Sequence, residues 1–263
     1  MDKFNSSLTR VQPILKALYE IDPSGESWIK SLLDIASRRD FLHTAVTKIS
    51  LGHLVKPPQF EFPVDPPKSN LKWLIEHPEN LSNPPVTAWK KWTATIQKMR
   101  SRFLLGDKEV QSAAASNIES CKSLPKTAWW RFEGVTCVDC ALITESTALF
   151  IEGKRTERGP SKEVLWYQER NQIHRNLDCV AAYSQEEGLQ YYFVIAIVDK
   201  NLMEQDPIRR KEWGALMSPA VIYKSLPHLN DGELKEIARH YAGVTTWEDI
   251  IERFGLKSTI LLH

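Results

Sequence analysis

Three residues in the stretch 138–157 (VDCALITESTALFIEGKRTE) have the types and spacing to do acid–base and metal chemistry: Asp139, Glu152 and Lys154. Whether they share a site is a question of register. Residues 141–143 and 148–151 are apolar and 144–147 are the only polar interruption, so two strands folded back on a turn are expected. With Glu145 and Ser146 as the loop, or with all of 144–147, Ile143 lies opposite Ala148, Ala141 opposite Phe150 and Asp139 opposite Glu152. Directly opposed residues hold their Cβ atoms roughly 4.5–5.5 Å apart, close enough for two carboxylates to share one divalent cation. Strand alternation then puts Lys154 on the face of Glu152. A three-residue loop would shift the register by one and separate them. Two carboxylates this close repel unless a cation joins them or one takes up a proton, and a bound metal resolves the conflict.

The elements around the hairpin must hold its polar end in place. Residues 107–121 show helical spacing, with Val110, Ala114, Ile118 and Cys121 on one side. Three strand-like runs follow at 127–134, 135–144 and 147–156. Gly159, Pro160 and Ser161 punctuate the chain, and a long helix is expected to run to about Ser184 with Trp166, Ile173, Leu177 and Val180 inward. Residues 189–199 (LQYYFVIAIVD) are apolar and β-rich enough to be a buried strand. The predicted α/β core over 106–200 therefore reads helix, three strands, helix, strand. Ahead of it, 1–105 reads as a helical region with a proline-rich extended linker at 56–70 draped on a surface. Behind it, 201–263 reads as helices packed on the core, with Thr245 and Glu248 as a capping box opening the last one.

At 263 residues, 42% of them hydrophobic and 25% charged, the chain is globular and large enough to bury a sizeable core. A net charge of +1 excludes nucleic-acid coating by global charge and leaves any such binding to local patches. One patch is suggested at 86–105, where Lys90, Lys91, Lys98, Arg100 and Arg102 lie off an apolar stripe of Trp89, Trp92, Ile96, Met99 and Phe103. Because both tryptophans fall on that stripe, burial is expected rather than stacking on bases. The first residues carry no secretory pattern and no run reaches membrane-spanning length, so a soluble, cytoplasmic chain with no membrane partner is expected. Four cysteines are too few and scattered for a disulfide scaffold.

An acid on the second strand of an αβββαβ core and Glu-x-Lys on the third resembles the PD-(D/E)XK nucleases, the restriction-endonuclease-like superfamily. The resemblance covers roughly residues 107–199 and leaves the helical flanks unexplained. Asp139 matches the family's aspartate, Glu152 its second acid and Lys154 its lysine, whereas Val138 stands where the family has proline. Glu233-Leu234-Lys235 repeats the Glu-x-Lys spacing inside a helical, solvent-facing pattern, so the spacing alone carries no signal. The resemblance implies Mg²⁺ or Mn²⁺ held by Asp139, Glu152 and the backbone carbonyl of Gly153. It also implies a glutamine from the following helix, for which Gln168 and Gln172 are available; with Arg175 they would form one polar stripe. Some members add an acid from the first helix, where Glu109 and Glu119 stand. Arg155 and Arg158 would meet a flanking phosphate.

The function implied is a metal-dependent nuclease acting on nucleic acid, DNA ahead of RNA, with Lys154 orienting the attacking water and steadying the transition state. The rival is a non-catalytic nuclease-like module that binds nucleic acid or a protein partner. A thiolate metal site at Cys137 and Cys140 is disfavoured, because residues three apart on a strand point to opposite faces. A helix-turn-helix at 233–251 is disfavoured by the five-residue step from Ala238 to Gly243, and two packed helices are expected there. His174 and His240 read as ordinary histidines, surface or half-buried.

Overall fold

A computed structural model describes residues 6–36, 50–154 and 165–261 of the chain. Strands β1 (Gln59–Val64), β2 (Thr136–Ile143), β3 (Thr147–Lys154), β4 (Tyr191–Val198) and β5 (Tyr241–Thr246) form one mixed sheet in that order. Pairing is antiparallel from β1 to β3 and parallel from β3 to β5. Ile143 faces Ala148 and Ala141 faces Phe150, the register required by a two-residue turn. Thr144 and Thr147 close that turn: the Thr144 N–H donates to the Thr147 carbonyl and the Thr147 N–H to the Thr144 hydroxyl, both at 2.9 Å. The Thr144 hydroxyl in turn donates to the Leu51 carbonyl, tying the hairpin tip to the segment before β1.

Helices α1 (Gln12–Ile21) and α2 (Ile29–Asp34) precede the sheet. Between β1 and β2 lie α3 (Lys68–Glu76), α4 (Val86–Trp89), α5 (Ala94–Leu104) and α6 (Lys108–Ser120), and α7 (Gln172–Glu186) connects β3 to β4. Then come α8 (Lys200–Gln205), α9 (Pro207–Ala215), α10 (Pro219–Ser225) and α11 (Asp231–Arg239), with α12 (Trp247–Phe254) after β5. On one face of the sheet α1, α2 and α12 bury Ile14, Leu18, Trp28 and Trp247 against Leu149, Ile151 and Ile195. The other face packs Ile173, Leu177 and Val180 of α7 on Phe150 and Val194. A third core joins α3, α5 and α6 through Leu71, Phe103 and Val110 to Phe132 and Trp166. Among the described residues no helix is long and apolar enough to cross a membrane.

Several sequence expectations need correction. The strand expected at 127–134 is a run of turns. Trp130 and Phe132 enter the third core instead, while the Arg131 guanidinium gathers the Pro125 and Glu133 carbonyls and pairs with Asp65 at 2.5 Å, so local polar contacts override strand propensity. The first strand, β1, comes from the proline-rich segment read as a linker. It is extended as expected, and Pro63 is tolerated because β1 is an edge strand. The tail is not wholly helical: β5 separates α11 from α12, so helix–strand–helix replaces two packed helices. Gly243, at φ 115°, sits where the β4–β5 register shifts. The sheet thus draws on residues well outside 106–200.

At α7, residues 165–171 are turns and the helix begins only at Gln172, because the Asn171 side chain caps it by accepting the Ile173 and His174 N–H groups. The helix at 86–105 breaks at residues 90–93 into α4 and α5. Trp89 and Trp92 are half-buried against Trp166, as burial required, but Arg100 is buried too and does not belong to an outer basic face. The last helix is capped by Thr246, which accepts from the Asp249 N–H, one residue later than the predicted box. The two cysteines of the Cys137-x-x-Cys140 spacing do separate, Cys137 exposed and Cys140 buried. His174 is wholly buried, its Nε2 2.9 Å from the Leu216 carbonyl, and His240 is half-buried.

Gly153 marks the tightest packing between β3 and the helices beneath it. A Cβ there would stand 2.6 Å from Val11 Cγ2 and 3.0 Å from Trp247 Cζ2. Gly153→Ala is therefore expected to destabilise the fold by about 1–3 kcal/mol in urea unfolding. Gly134→Ala, where a Cβ meets nothing within 4 Å, should stay within about 0.5 kcal/mol of the parent.

Candidate active site

The amino end of α7 is held over the ends of β2 and β3 by buried charge. Arg170, with no exposed surface, pairs with Glu133 at 2.6 Å and Asp178 at 2.7 Å. Glu133 also takes Arg175 at 2.9 Å and the Asn70 amide at 2.8 Å. Burial pushes Asp178 up, but Arg170 and then His228, 3.2 Å away, hold its carboxyl below the usual range. With the Asn171 N–H donating to the Ser225 hydroxyl at 2.8 Å, the first turn of α7 has a fixed position.

Gln172, the first residue of that helix, reaches β3. Its Nε2 donates to Glu152 Oε1 at 2.7 Å, and its Oε1 accepts from Lys154 Nζ at 2.7 Å. Lys154 Nζ lies 2.9 Å from the same Glu152 oxygen, so the three side chains close a triangle. The second carboxylate oxygen of Glu152 accepts from Asn176, one turn along α7, at 3.0 Å. Glu152 and Lys154 are only 2% and 6% exposed. On the adjacent strand Asp139 is one register step beyond the last pair, Cys140–Ile151, and its Oδ2 accepts the Gly153 N–H at 2.7 Å. Burial, then the neighbouring Glu152 charge, raises the Asp139 carboxyl from 3.8 to about 8; the Gly153 N–H and Lys154 act against the shift.

The structure thus brings Asp139, Glu152, Lys154 and Gln172 together. Gln168 is exposed in the turns before α7 and takes no part, so the expected Gln168–Gln172–Arg175 stripe does not form. The Gly153 carbonyl, expected as a metal ligand, accepts the Ser6 hydroxyl at 2.9 Å. Glu109 and Glu119 lie on α6, paired with Arg102 at 3.5 Å and Lys72 at 2.5 Å. Arg155 and Arg158 lie outside the described residues.

Sequence reasoning missed Ser6, Asn176 and Glu61. Asn176 stands four residues after Gln172, a helical spacing that would have found it. Glu61 is exposed on β1, between Phe60 and Phe62, which face Cys140 and Val138, and so stands across from Asp139. Its φ of 49° is unusual for a residue with a side chain, and its charge adds to the rise at Asp139.

Among the described residues no three His, Cys, Asp or Glu side chains form a group able to hold a metal. Asp139 and Glu152 nevertheless suit a hard divalent cation, because Mg²⁺ is commonly held by one or two carboxylates, with water and substrate phosphate completing the shell. The buried Asn176 Oδ1 beside Glu152, without a hydrogen-bond partner among the described residues, is a further hard oxygen.

The raised Asp139 carboxyl has a measurable sign. Between about pH 4 and pH 8 the unfolded chain has released this proton and the folded chain keeps it, so the contribution favours folding at low pH and is lost as the pH rises to about 8. In EDTA, urea unfolding should show stability falling across that interval, and Asp139→Asn should flatten the fall. The chain matches no protein-family model, no curated protein and no solved structure.

Proposed function

We propose that this protein is a metal-dependent nuclease hydrolysing phosphodiester bonds, DNA ahead of RNA. The observation that carries the proposal is the closed Lys154–Glu152–Gln172 triangle at the end of β3, with the Asp139 carboxyl beside it on β2. Three antiparallel strands, a helix and a parallel strand, with these residues at their ends, support the restriction-endonuclease-like resemblance.

Asp139 and Glu152 would hold Mg²⁺ or Mn²⁺, which when bound supplies Lewis acidity toward the scissile phosphate and its attacking water. Lys154 presents a fixed ammonium where negative charge develops, and its preset position avoids the reorganisation that mobile solvent would need. Gln172 is a positioning residue: one end of its amide holds the ammonium and the other the Glu152 carboxylate. Asn176 fixes the second Glu152 oxygen. Four free cysteines suit a reducing, cytoplasmic setting.

The near-complete burial of Glu152 and Lys154 favours a second reading, in which the network is structural and the chain is a non-catalytic nuclease-like module binding nucleic acid or a protein partner. A cleavage assay with Mg²⁺ or Mn²⁺ on single- and double-stranded DNA and on RNA separates the two. Asp139→Ala and Lys154→Ala should each lower the rate by about 100-fold or more, and Gln172→Ala by less. Rates unchanged in Asp139→Ala or Lys154→Ala would sink the nuclease proposal, and so would failure of the parent to bind either metal in calorimetry.

A further inference from the structure

The β2–β3 ladder ends where the candidate site begins. Thr144 and Thr147 form a hydrogen-bonded pair, and in an antiparallel ladder every second pair is of that kind, so Leu142–Leu149 and Cys140–Ile151 follow and Val138–Gly153 would be next. Pairing stops at Cys140–Ile151, so Val138 does not offer the Gly153 N–H and carbonyl the backbone partners they would otherwise have. Two side chains stand in for them. Asp139 Oδ2 accepts the N–H at 2.7 Å, and the Ser6 hydroxyl donates to the carbonyl at 2.9 Å.

Gly153 stands between Glu152 and Lys154, and a glycine has more backbone freedom to lose than any other residue. The close approach of Val11 and Trp247 leaves no room for a Cβ that would stiffen it. The bonds to its backbone therefore help to set the direction in which Glu152 and Lys154 leave the strand: the parallel ladder on the β4 side, and Asp139 and Ser6 on the β2 side. Ser6 is itself held in place. It is 8% exposed, and the short helix Ser7–Val11 that follows packs on both β2 and β3, with Val11 in the same core as Trp247.

We propose that Ser6 is a positioning residue for the cation site: by holding the Gly153 carbonyl where β2 and β3 part, it fixes the backbone from which Glu152 projects and to which Asp139 is bonded. The proposal rests on the metal-binding reading of Asp139 and Glu152 and adds to that pair a residue from the segment before α1. Ser6 acts through Gly153 and is not itself a ligand. Sites of this kind need their ligands held to within about 0.5 Å. Loss of a bond behind the ligands typically weakens metal binding by about 10–100-fold.

The test is calorimetric titration of the full chain with Mn²⁺ alone, which needs no turnover, beside the cleavage assay. Ser6→Ala should weaken Mn²⁺ binding about tenfold. Ser6→Cys, similar in shape but a weaker donor, should give an intermediate affinity, and it keeps the test open if the alanine variant does not fold. Ser7→Ala is the control: Ser7 is 1% exposed and its hydroxyl has no partner among the described residues, so the change removes the same atom from the same segment without touching Gly153. It should leave Mn²⁺ affinity unchanged. Equal losses in the Ser6 and Ser7 variants, or unchanged affinity in the Ser6 variants, would overturn the proposal. So would tighter binding, which would make Ser6 a competitor of the metal for the Gly153 carbonyl. Ser6-dependent Mn²⁺ binding by a chain that cleaves nothing keeps the positioning role and ends the nuclease reading. Cleavage with an Mn²⁺ affinity indifferent to Ser6 does the reverse, and a parent chain that binds no Mn²⁺ ends both.

Discussion

Arg170 carries a full charge with no exposed surface, and the arrangement of the α7 end of the molecule follows from what that charge needs. A guanidinium out of water is tolerable only where carboxylates come with it, and removing one partner of such a group typically costs about 3–5 kcal/mol. Here the partners are Glu133, just ahead of β2, and Asp178, two turns into α7. Glu133 in turn binds Arg175 and Asn70, so one carboxylate connects the third core, the entry to β2 and the helix above the sheet. Gln172 meets Glu152 and Lys154 because this network leaves α7 one place to begin.

The two polar systems at this end of the sheet differ in how they balance charge. Around Arg170 acids and bases alternate, and Asp178 stays ionised despite its burial. Around Asp139, with Glu152 on the adjacent strand, burial and then the Glu152 charge give the carboxyl a raised affinity for a proton. The first pairs its buried carboxylates with an arginine. The second takes up a proton far more readily than a free carboxyl, and that asymmetry separates a scaffold from the site for which a metal is proposed.

The hairpin was legible in the sequence because its determinants are local: a polar turn of fixed length and a side-chain period of two put Asp139 beside Glu152 without reference to the rest of the chain. Gln172 was legible in part, since the helix was expected but its start was not; Asn171, a good cap, was the overlooked signal that left Gln168 outside. β1 was hidden because proline suggests a linker, although an edge strand accepts it. β5 was hidden because six residues between two well-patterned helices leave little room for a separate signal. The Glu133–Arg170–Asp178 network leaves no trace in spacing at all, as its members meet only after the helices have docked.

Gly153 packs against segments drawn from far apart in the chain: Val11 and Trp247 crowd the same side of it, and Ser6 donates to its carbonyl. During synthesis this has a temporal consequence. A growing chain possesses Asp139, Glu152, Lys154 and Gln172 some 75 residues before it possesses Trp247. At about 5–20 residues per second, that interval lasts on the order of several seconds. Throughout it the strand bearing Glu152 and Lys154 lacks the indole that covers its lower face, so the triangle gains its full support only once α12 has left the ribosome.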